Sequence, residues 1–227
     1  MGSSKPLLPL GTATVIERAV ATVARAGVGD IVVVTGHGAD TVASVLAGLP
    51  VRQAHNAGYD SGMFSSVRTG ARALQGDLEA FFILPVDYPL VRTQVLDSLL
   101  ACFGEGGPGL LHPTCCGLRG HPPLLAGRYR EAILQASDSH NLRSLLEQNG
   151  DDECEVELED PTILIDMDTA EDYQRIVRFA EMPDAYVGDG VVVDAGPFSG
   201  LPNREAIRQT QEQLADRFAT FRAISSF

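Results

Sequence analysis

Two periods of apolar residues divide the first half of the chain. Val15, Ile16, Ala19, Val20 and Val23 recur at helical spacing. Thr14 and Glu17 form a capping-box pattern before them, and Gly27 follows as a stop. Asp30-IVVVT-Gly36 is then a β-branched run, which predicts a strand buried on both faces. A helix is expected from Asp40 to Ala47, a short strand from Val51 to His55, and a helix from Met63 to Leu74 entered through HNAGYDSG. Phe81 to Leu84 is unbroken apolar, so it reads as a second buried strand, stopped by Pro85 and Pro89 because neither can donate to a ladder. A helix from Arg92 to Phe103 follows. Strands alternating with helices predict βαβ units, right-handed crossovers and a parallel sheet.

The second half is less regular. Leu110 to His112 can be a strand, followed by a loop, TCCGLRGHPPLL. Helices are expected at Tyr129–Ala136 and Leu142–Gln148, and an alternating strand at Cys154–Leu158. Ile163 to Ile165 reads as a short apolar strand, and Thr169 as the cap of a helix running to Phe179. The expected division is a domain over residues 1–180, a Gly/Pro/Asp-rich linker over 181–202 with one short strand at Val191–Val193, and an amphipathic helix over 203–227. In that helix Ile207, Leu214, Phe218 and Phe221 form one apolar stripe, suited to docking.

Composition narrows the function. The chain is 44% hydrophobic, enough for a full core. Its formal net charge is -13 with no Lys/Arg run, which argues against nucleic-acid backbone binding. A phosphorylated small molecule stays open, since a few cations and backbone N–H groups suffice for one. No apolar run of about 18 residues predicts a membrane span, and no h-region predicts a signal peptide. Cys102, Cys115, Cys116 and Cys154 include no CxxC pair, so free thiols and a cytoplasmic location are expected.

Four constellations can carry chemistry in addition to the end of the second buried strand. Asp87 lies just past the carboxyl end of the Phe81 strand, where α/β sheets bind ligands. It either holds a divalent cation or caps the following turn. Lys5, after small residues, either reaches a phosphate or is a solvated terminal Lys. In HNAGYDSGMFSSVRTG, Asn56 ends a strand, Gly62 allows close backbone approach, and Ser65 and Ser66 fall in the first turns of a helix that favours an anion; the alternative is a plain loop and cap. Arg119 and His121 share one Gly/Pro turn, read as a site or as a surface loop. Asp166 and Asp168 alternate on an extended segment, so they point the same way and can join Asp87 at one Mg²⁺; otherwise Asp168 caps the next helix.

The order of KPLLPLG, NAGYDSGMFSSVRTG, LPVDYPLV, RGHPPLL and DMDTAEDY resembles the MobA-like nucleotidyltransferase family, most of all its molybdenum cofactor cytidylyltransferases. The resemblance covers about Met1 to Ala180. It implies a Rossmann-like three-layer α/β sandwich with a mostly parallel sheet, of the nucleotide-diphospho-sugar transferase type. It implies transfer of CMP, or GMP, from an NTP (CTP preferred) to a phosphorylated pterin-type acceptor, with Mg²⁺ or Mn²⁺ and release of pyrophosphate. Lys5 would then neutralise NTP phosphates, and Asp87 with Asp166 or Asp168 would hold the metal. Asn56, Gly62, Ser65, Ser66, Arg119 and His121 would line the acceptor pocket. A monomer or weak dimer is expected. Two departures stand out. The family's first strand and Gly-rich LAAG-type loop precede the Met-Gly with which this chain starts, so a central strand and phosphate loop are expected to be missing. In SDSHNLRSLL, Asp138 and Arg143 match a family pattern whose glycines are absent. The resulting alternatives are a non-catalytic or regulatory homologue and a sugar-phosphate nucleotidyltransferase.

Overall fold

The computed structural model describes residues 5–104, 108–136, 142–147, 150–181 and 222–226. The chain opens with a 3₁₀ turn, Lys5–Leu7, and a two-stranded antiparallel ribbon, β1 (Pro9–Leu10) and β2 (Ala13–Thr14). Helix α1 (Val15–Arg25) starts as its sequence dictates. The Thr14 backbone N–H donates to the Glu17 carboxylate at 2.7 Å, and the Glu17 N–H donates to Thr14 Oγ1 at 3.4 Å. The capping box thus satisfies two N–H groups that the helix leaves orphaned. The stripe Val15, Ile16, Ala19, Val20 and Val23 is wholly buried.

The main sheet follows: β3 (Asp30–Thr35), β4 (Arg52–His55), β5 (Ala80–Pro85), β6 (Leu110–Cys115), β7 (Leu118–Arg119), β8 (Leu124–Ala126), β9 (Glu153–Glu157) and β10 (Arg222–Ser226). Its order is β4-β3-β10-β5-β8-β6-β7, with β9 also paired to β6. The helices are α2 (Ala39–Leu46), α3 (Met63–Ala73), α4 (Thr93–Gly104), α5 (Tyr129–Gln135), α6 (Leu142–Glu147) and α7 (Ala170–Glu181). They cover both faces. Helices α1, α2, α4 and α7 pack on the face carrying Ile31, Val33, Phe82 and Leu84. Helices α3, α5 and α6 pack on the face carrying Val32, Val34, Phe81 and Ile83. Adjacent residues of β3 and β5 feed opposite cores, which is why both strands are apolar without alternation. Each fully buried side chain of that size stabilises the fold by roughly 1.5–3 kcal/mol.

The sheet is mixed: among the described residues four strand pairs, β6–β9 included, are parallel and three are antiparallel. β4, β3, β10 and β5 run parallel, while β8 is antiparallel to both β5 and β6. The cause lies in the segment expected to be a loop. Cys116 (φ 55) and Gly117 (φ 74) both adopt positive φ, which makes a two-residue hairpin of the primed type between β6 and β7. The chain then returns through His121, Pro122 and Pro123 as β8, against the grain of the neighbouring strands. A second correction concerns Ile163–Ile165. This stretch is no strand; Pro161–Leu164 is a 3₁₀ turn. Asp160 accepts the Thr162 N–H at 3.0 Å and Pro161 takes the first position, a start signal that outweighs three apolar residues. A third concerns the chain's last part: residues 222–226, expected in a helix, form β10 in the middle of the sheet. The linker beyond Glu181, which ends α7, and the rest of that helix lie outside the described residues, as does Asp138, and the side chain of Arg143 is likewise not described. No described helix is long and apolar enough to cross a membrane.

Candidate functional site

A cavity of about 460 Å³ opens at the carboxyl ends of β3 and β5. Parallel strands end there without a neighbour to continue them, so the backbone leaves room for a ligand. The end of β3 delivers Thr35, Gly36 and His37; the end of β5 delivers Pro85, Val86 and Asp87; the loop into α3 delivers Tyr59 and Gly62, and the first turn of α3 Met63 and Ser66; Lys5 closes one side. Gly36 is required by packing. A Cβ there would lie 2.7 Å from the Cβ of Tyr59, whose ring meets the His37 ring edge-on with centroids 6.0 Å apart.

Asp87 carries the most informative atom. Its Oδ1 is buried and accepts no hydrogen bond. Burial raises the carboxyl above its usual range, its own backbone N–H and then the Lys5 ammonium pull it down, and Asp168 and Asp166 push it up again. Four charged groups from three distant parts of the chain therefore converge. Lys5 Nζ donates to Asp168 Oδ1 at 3.0 Å, both side chains being substantially exposed. Asp166 and Asp168 are exposed on either side of buried Met167, so they share one face as their alternation predicts. Tyr88 lies against this cluster, and burial followed by the three carboxylates pushes its hydroxyl up to about 12. It is a neutral donor at any ordinary pH.

Among the described residues, no group of three or more His, Cys, Asp or Glu is arranged to hold a metal ion by itself. The donor set nevertheless suits one kind of cation. An orphaned buried carboxylate oxygen beside solvent-facing carboxylates offers a hard cation one or two protein ligands and leaves its other positions to phosphate and water.

Asn56 and Ser65 are not among the residues that line the cavity. The Asn56 side chain is 5% exposed and fully used: its amide donates to Ser65 Oγ at 2.8 Å and Ser66 Oγ at 3.1 Å, and its carbonyl accepts the Gly58 N–H at 3.0 Å. It shapes the loop that carries Gly62 and Ser66 to the cavity. Arg119 does not line the cavity. Its Nε donates to Glu155 at 2.7 Å, and its guanidinium also pairs with Glu153 on β9. His121 stacks on Tyr88, ring centroids 4.3 Å apart, with Nδ1 buried and unpartnered. Thr35 and His37 went unread in the sequence, while Tyr59 and Met63 fall within the Asn56–Ser66 loop read as part of a pocket. The rule that found Asp87 also covers Thr35 and His37, which close a buried strand just as Asp87 does.

Burial lowers the His121 imidazole from 6.5 to about 4, with a smaller push from His112. The unfolded chain thus binds this proton more readily than the fold does, so stability falls as pH drops from about 6.5 towards 4. Urea unfolding at pH 7 and pH 5 should show a larger loss for the wild type than for His121→Gln. Equal losses in both would remove His121 as the titrating group.

Residues 1–154 match the model of the MobA-like NTP transferase domain. A molybdenum cofactor cytidylyltransferase of Escherichia coli K12 is 26% identical over 174 residues, covering 76% of this chain and 86% of that protein. A solved nucleotidyl transferase from Methanothermobacter is 30% identical with a TM-score of 0.65, covering 79% of this chain and 86% of its own. A Mycobacterium tuberculosis protein solved in complex with manganese shares the fold at 18% identity and a TM-score of 0.60, covering 78% and 93%.

Proposed function

The chain belongs to the MobA-like NTP transferase family, and on that premise we propose that its cavity transfers CMP from CTP to a phosphorylated pterin-type acceptor. Membership makes it a nucleotidyltransferase. Likeness to the E. coli cytidylyltransferase supports the base and the acceptor. The single observation that carries the reading is the buried, unpartnered Asp87 Oδ1 in a cavity that also holds Lys5.

The reaction is an in-line displacement at phosphorus, in which a protein contributes mainly position and charge. Asp87, with Asp166 or Asp168, would hold Mg²⁺ or Mn²⁺. The bound cation supplies charge neutralisation on the phosphates and on the departing pyrophosphate. Lys5 brings an ammonium to the same end of the cavity, where it neutralises phosphate oxygens. Its pairing with Asp168 keeps it over the site beforehand. Tyr88, held neutral, adds no further negative charge beside the three carboxylates. Gly36, Gly62 and Ser66 form a wall of small residues that a flat nucleoside can approach closely.

The test is the full chain with Mg²⁺, a molybdopterin-type acceptor and either CTP or GTP, followed by pyrophosphate release. Release with CTP supports the reading. Release with GTP alone changes the base, and release with neither removes the reaction.

Lys5→Met separates binding from folding. The ion pair with Asp168 is exposed, so its loss should cost under about 1 kcal/mol of stability. Loss of a cation against a triphosphate should raise the KM for NTP about tenfold, in keeping with one charge-assisted bond of ~1.5 kcal/mol. Steady-state kinetics beside a thermal melt reads both.

A further inference from the structure

Asp168 has no part in starting the helix that follows it. Thr169 starts it: its N–H and its hydroxyl both donate to the Asp172 carboxylate, at 2.9 and 2.7 Å, and the Asp172 N–H donates to Thr169 Oγ1 at 3.1 Å. That is a closed capping box, and it leaves the Asp168 carboxylate outside α7. Capping therefore does not account for Asp168. What meets its carboxylate is an ammonium from the other end of the domain, Lys5 Nζ, which donates to Asp168 Oδ1 at 3.0 Å.

The backbone is arranged for this meeting on both sides. Lys5 opens a 3₁₀ turn whose Pro6 is buried, and the Leu8 N–H donates to the Lys5 carbonyl at 3.2 Å. Tyr173, in the first turn of α7, donates its hydroxyl to the Pro9 carbonyl at 2.6 Å. The segment after Lys5 is thus tied to the helix after Asp168. The same ammonium acts on Asp87, whose carboxyl is raised chiefly by burial and lowered by its own backbone N–H and then by Lys5. One positive charge therefore serves carboxylates that the nucleotide reading gives to a divalent cation. An ammonium has donors to spare, but a divalent cation on those carboxylates would repel it. A triphosphate in the cavity, which Lys5 also lines, offers it another partner.

From this arrangement, and resting on the nucleotide reading above, we propose that Lys5 is the resident counter-ion of the carboxylate cluster before ligand enters, and that it changes partner from Asp168 to the triphosphate when nucleotide and divalent cation bind. Only ion pairs are exchanged; no covalent bond is made or broken. In the nucleotide-free protein Lys5 competes for Asp168 with any cation. With nucleotide present, Lys5 turns to phosphate and Asp168 is released. Nucleotide then strengthens cation binding by the same factor by which the cation strengthens nucleotide binding. The protein is accordingly a poor binder of the bare metal ion.

Binding of Mn²⁺ alone to the full chain, followed by electron paramagnetic resonance without nucleotide, tests the exchange. Lys5→Met should bind Mn²⁺ roughly threefold or more tightly than the wild type, since an exposed ion pair of this kind weighs up to about fivefold in an equilibrium. The same substitution should weaken CTP binding measured by calorimetry in EDTA by about tenfold. A lysine that only touched phosphate would leave Mn²⁺ affinity as it was, and one that only braced Asp168 would lower it on removal. Unchanged or weaker Mn²⁺ binding by Lys5→Met overturns the proposal, as does CTP binding that the substitution leaves intact. Lys5→Arg should return Mn²⁺ affinity to the wild-type value. Arg25→Met removes the same charge at the far end of α1, on an exposed residue, and should leave Mn²⁺ affinity unchanged. Equal tightening in the Lys5 and Arg25 variants overturns the proposal, because net charge then explains both. Absence of Mn²⁺ binding at millimolar concentration in both the wild type and Lys5→Met overturns it too. A wild type that binds Mn²⁺ but neither CTP nor GTP sinks the nucleotide reading instead, and the Mn²⁺ comparison alone then judges the counter-ion.

Discussion

Asp87→Asn should lower kcat/KM for nucleotidyl transfer by about 10³-fold, equivalent to ~4 kcal/mol of transition-state stabilisation. The substitution keeps volume and an acceptor oxygen but removes the charge that would bind a cation in the cavity. Its effect on the fold should be the reverse of damage. The wild-type carboxylate is penalised by burial and has an unpartnered oxygen, so a neutral amide is no worse in the ligand-free protein. A thermal melt of the metal-free variant should match or exceed the wild type, while added Mg²⁺ and CTP should raise the wild-type midpoint and not that of the variant. A variant that melts early would show Asp87 to be a structural cap.

Gly120→Ala should be among the most destabilising single substitutions in the chain. A Cβ at Gly120 would lie 2.5 Å from the Ile163 carbonyl oxygen and 2.6 Å from Ile163 Cγ1. Backbone cannot step aside as a flexible side chain can. The same contact is stitched by hydrogen bonds: the Gly120 N–H donates to Pro113 O at 2.8 Å, and the His121 N–H donates to Ile163 O at 3.0 Å. Forcing the segments apart should cost about 3 kcal/mol, a fall of roughly 6–12 °C in Tm. It should also lower activity, because Ile163 leads directly to Asp166 and Asp168. Gly117→Ala is the control. There the strain is only conformational, with φ 74 and nothing within 4 Å of a Cβ, so about 1 kcal/mol is expected. Equal losses in the two variants would refute the packing argument.

The parts of this molecule legible in its sequence are those set by local chemistry. The Thr14–Glu17 capping box, the two unalternating strands and the helices between them depend on residues a few positions apart. The end of a buried strand is equally local, and it is what singles out Asp87. Partnerships over long distance are a different matter. Nothing near Asn56 says that Ser65 and Ser66 consume its amide, and nothing near Arg119 announces Glu153 and Glu155 across the sheet. β10 is the clearest case. Arg-Ala-Ile-Ser-Ser has only one β-branched residue, and a run of helical spacing precedes it. Its strand conformation comes from the two edges waiting for it, an instance of tertiary context overriding propensity.

The position of β10 also bears on how the protein is made. Synthesis runs from β3 through β5 and on through β9 before Arg222 exists. Until then the inner edges of β3 and β5 lack β10, and apolar edges of that kind are the ones that pair with a wrong neighbour. The centre of the sheet is the last described part of it to be translated. Ribosomes stalled before that point would carry a nascent chain in which neither inner edge has β10 to pair with.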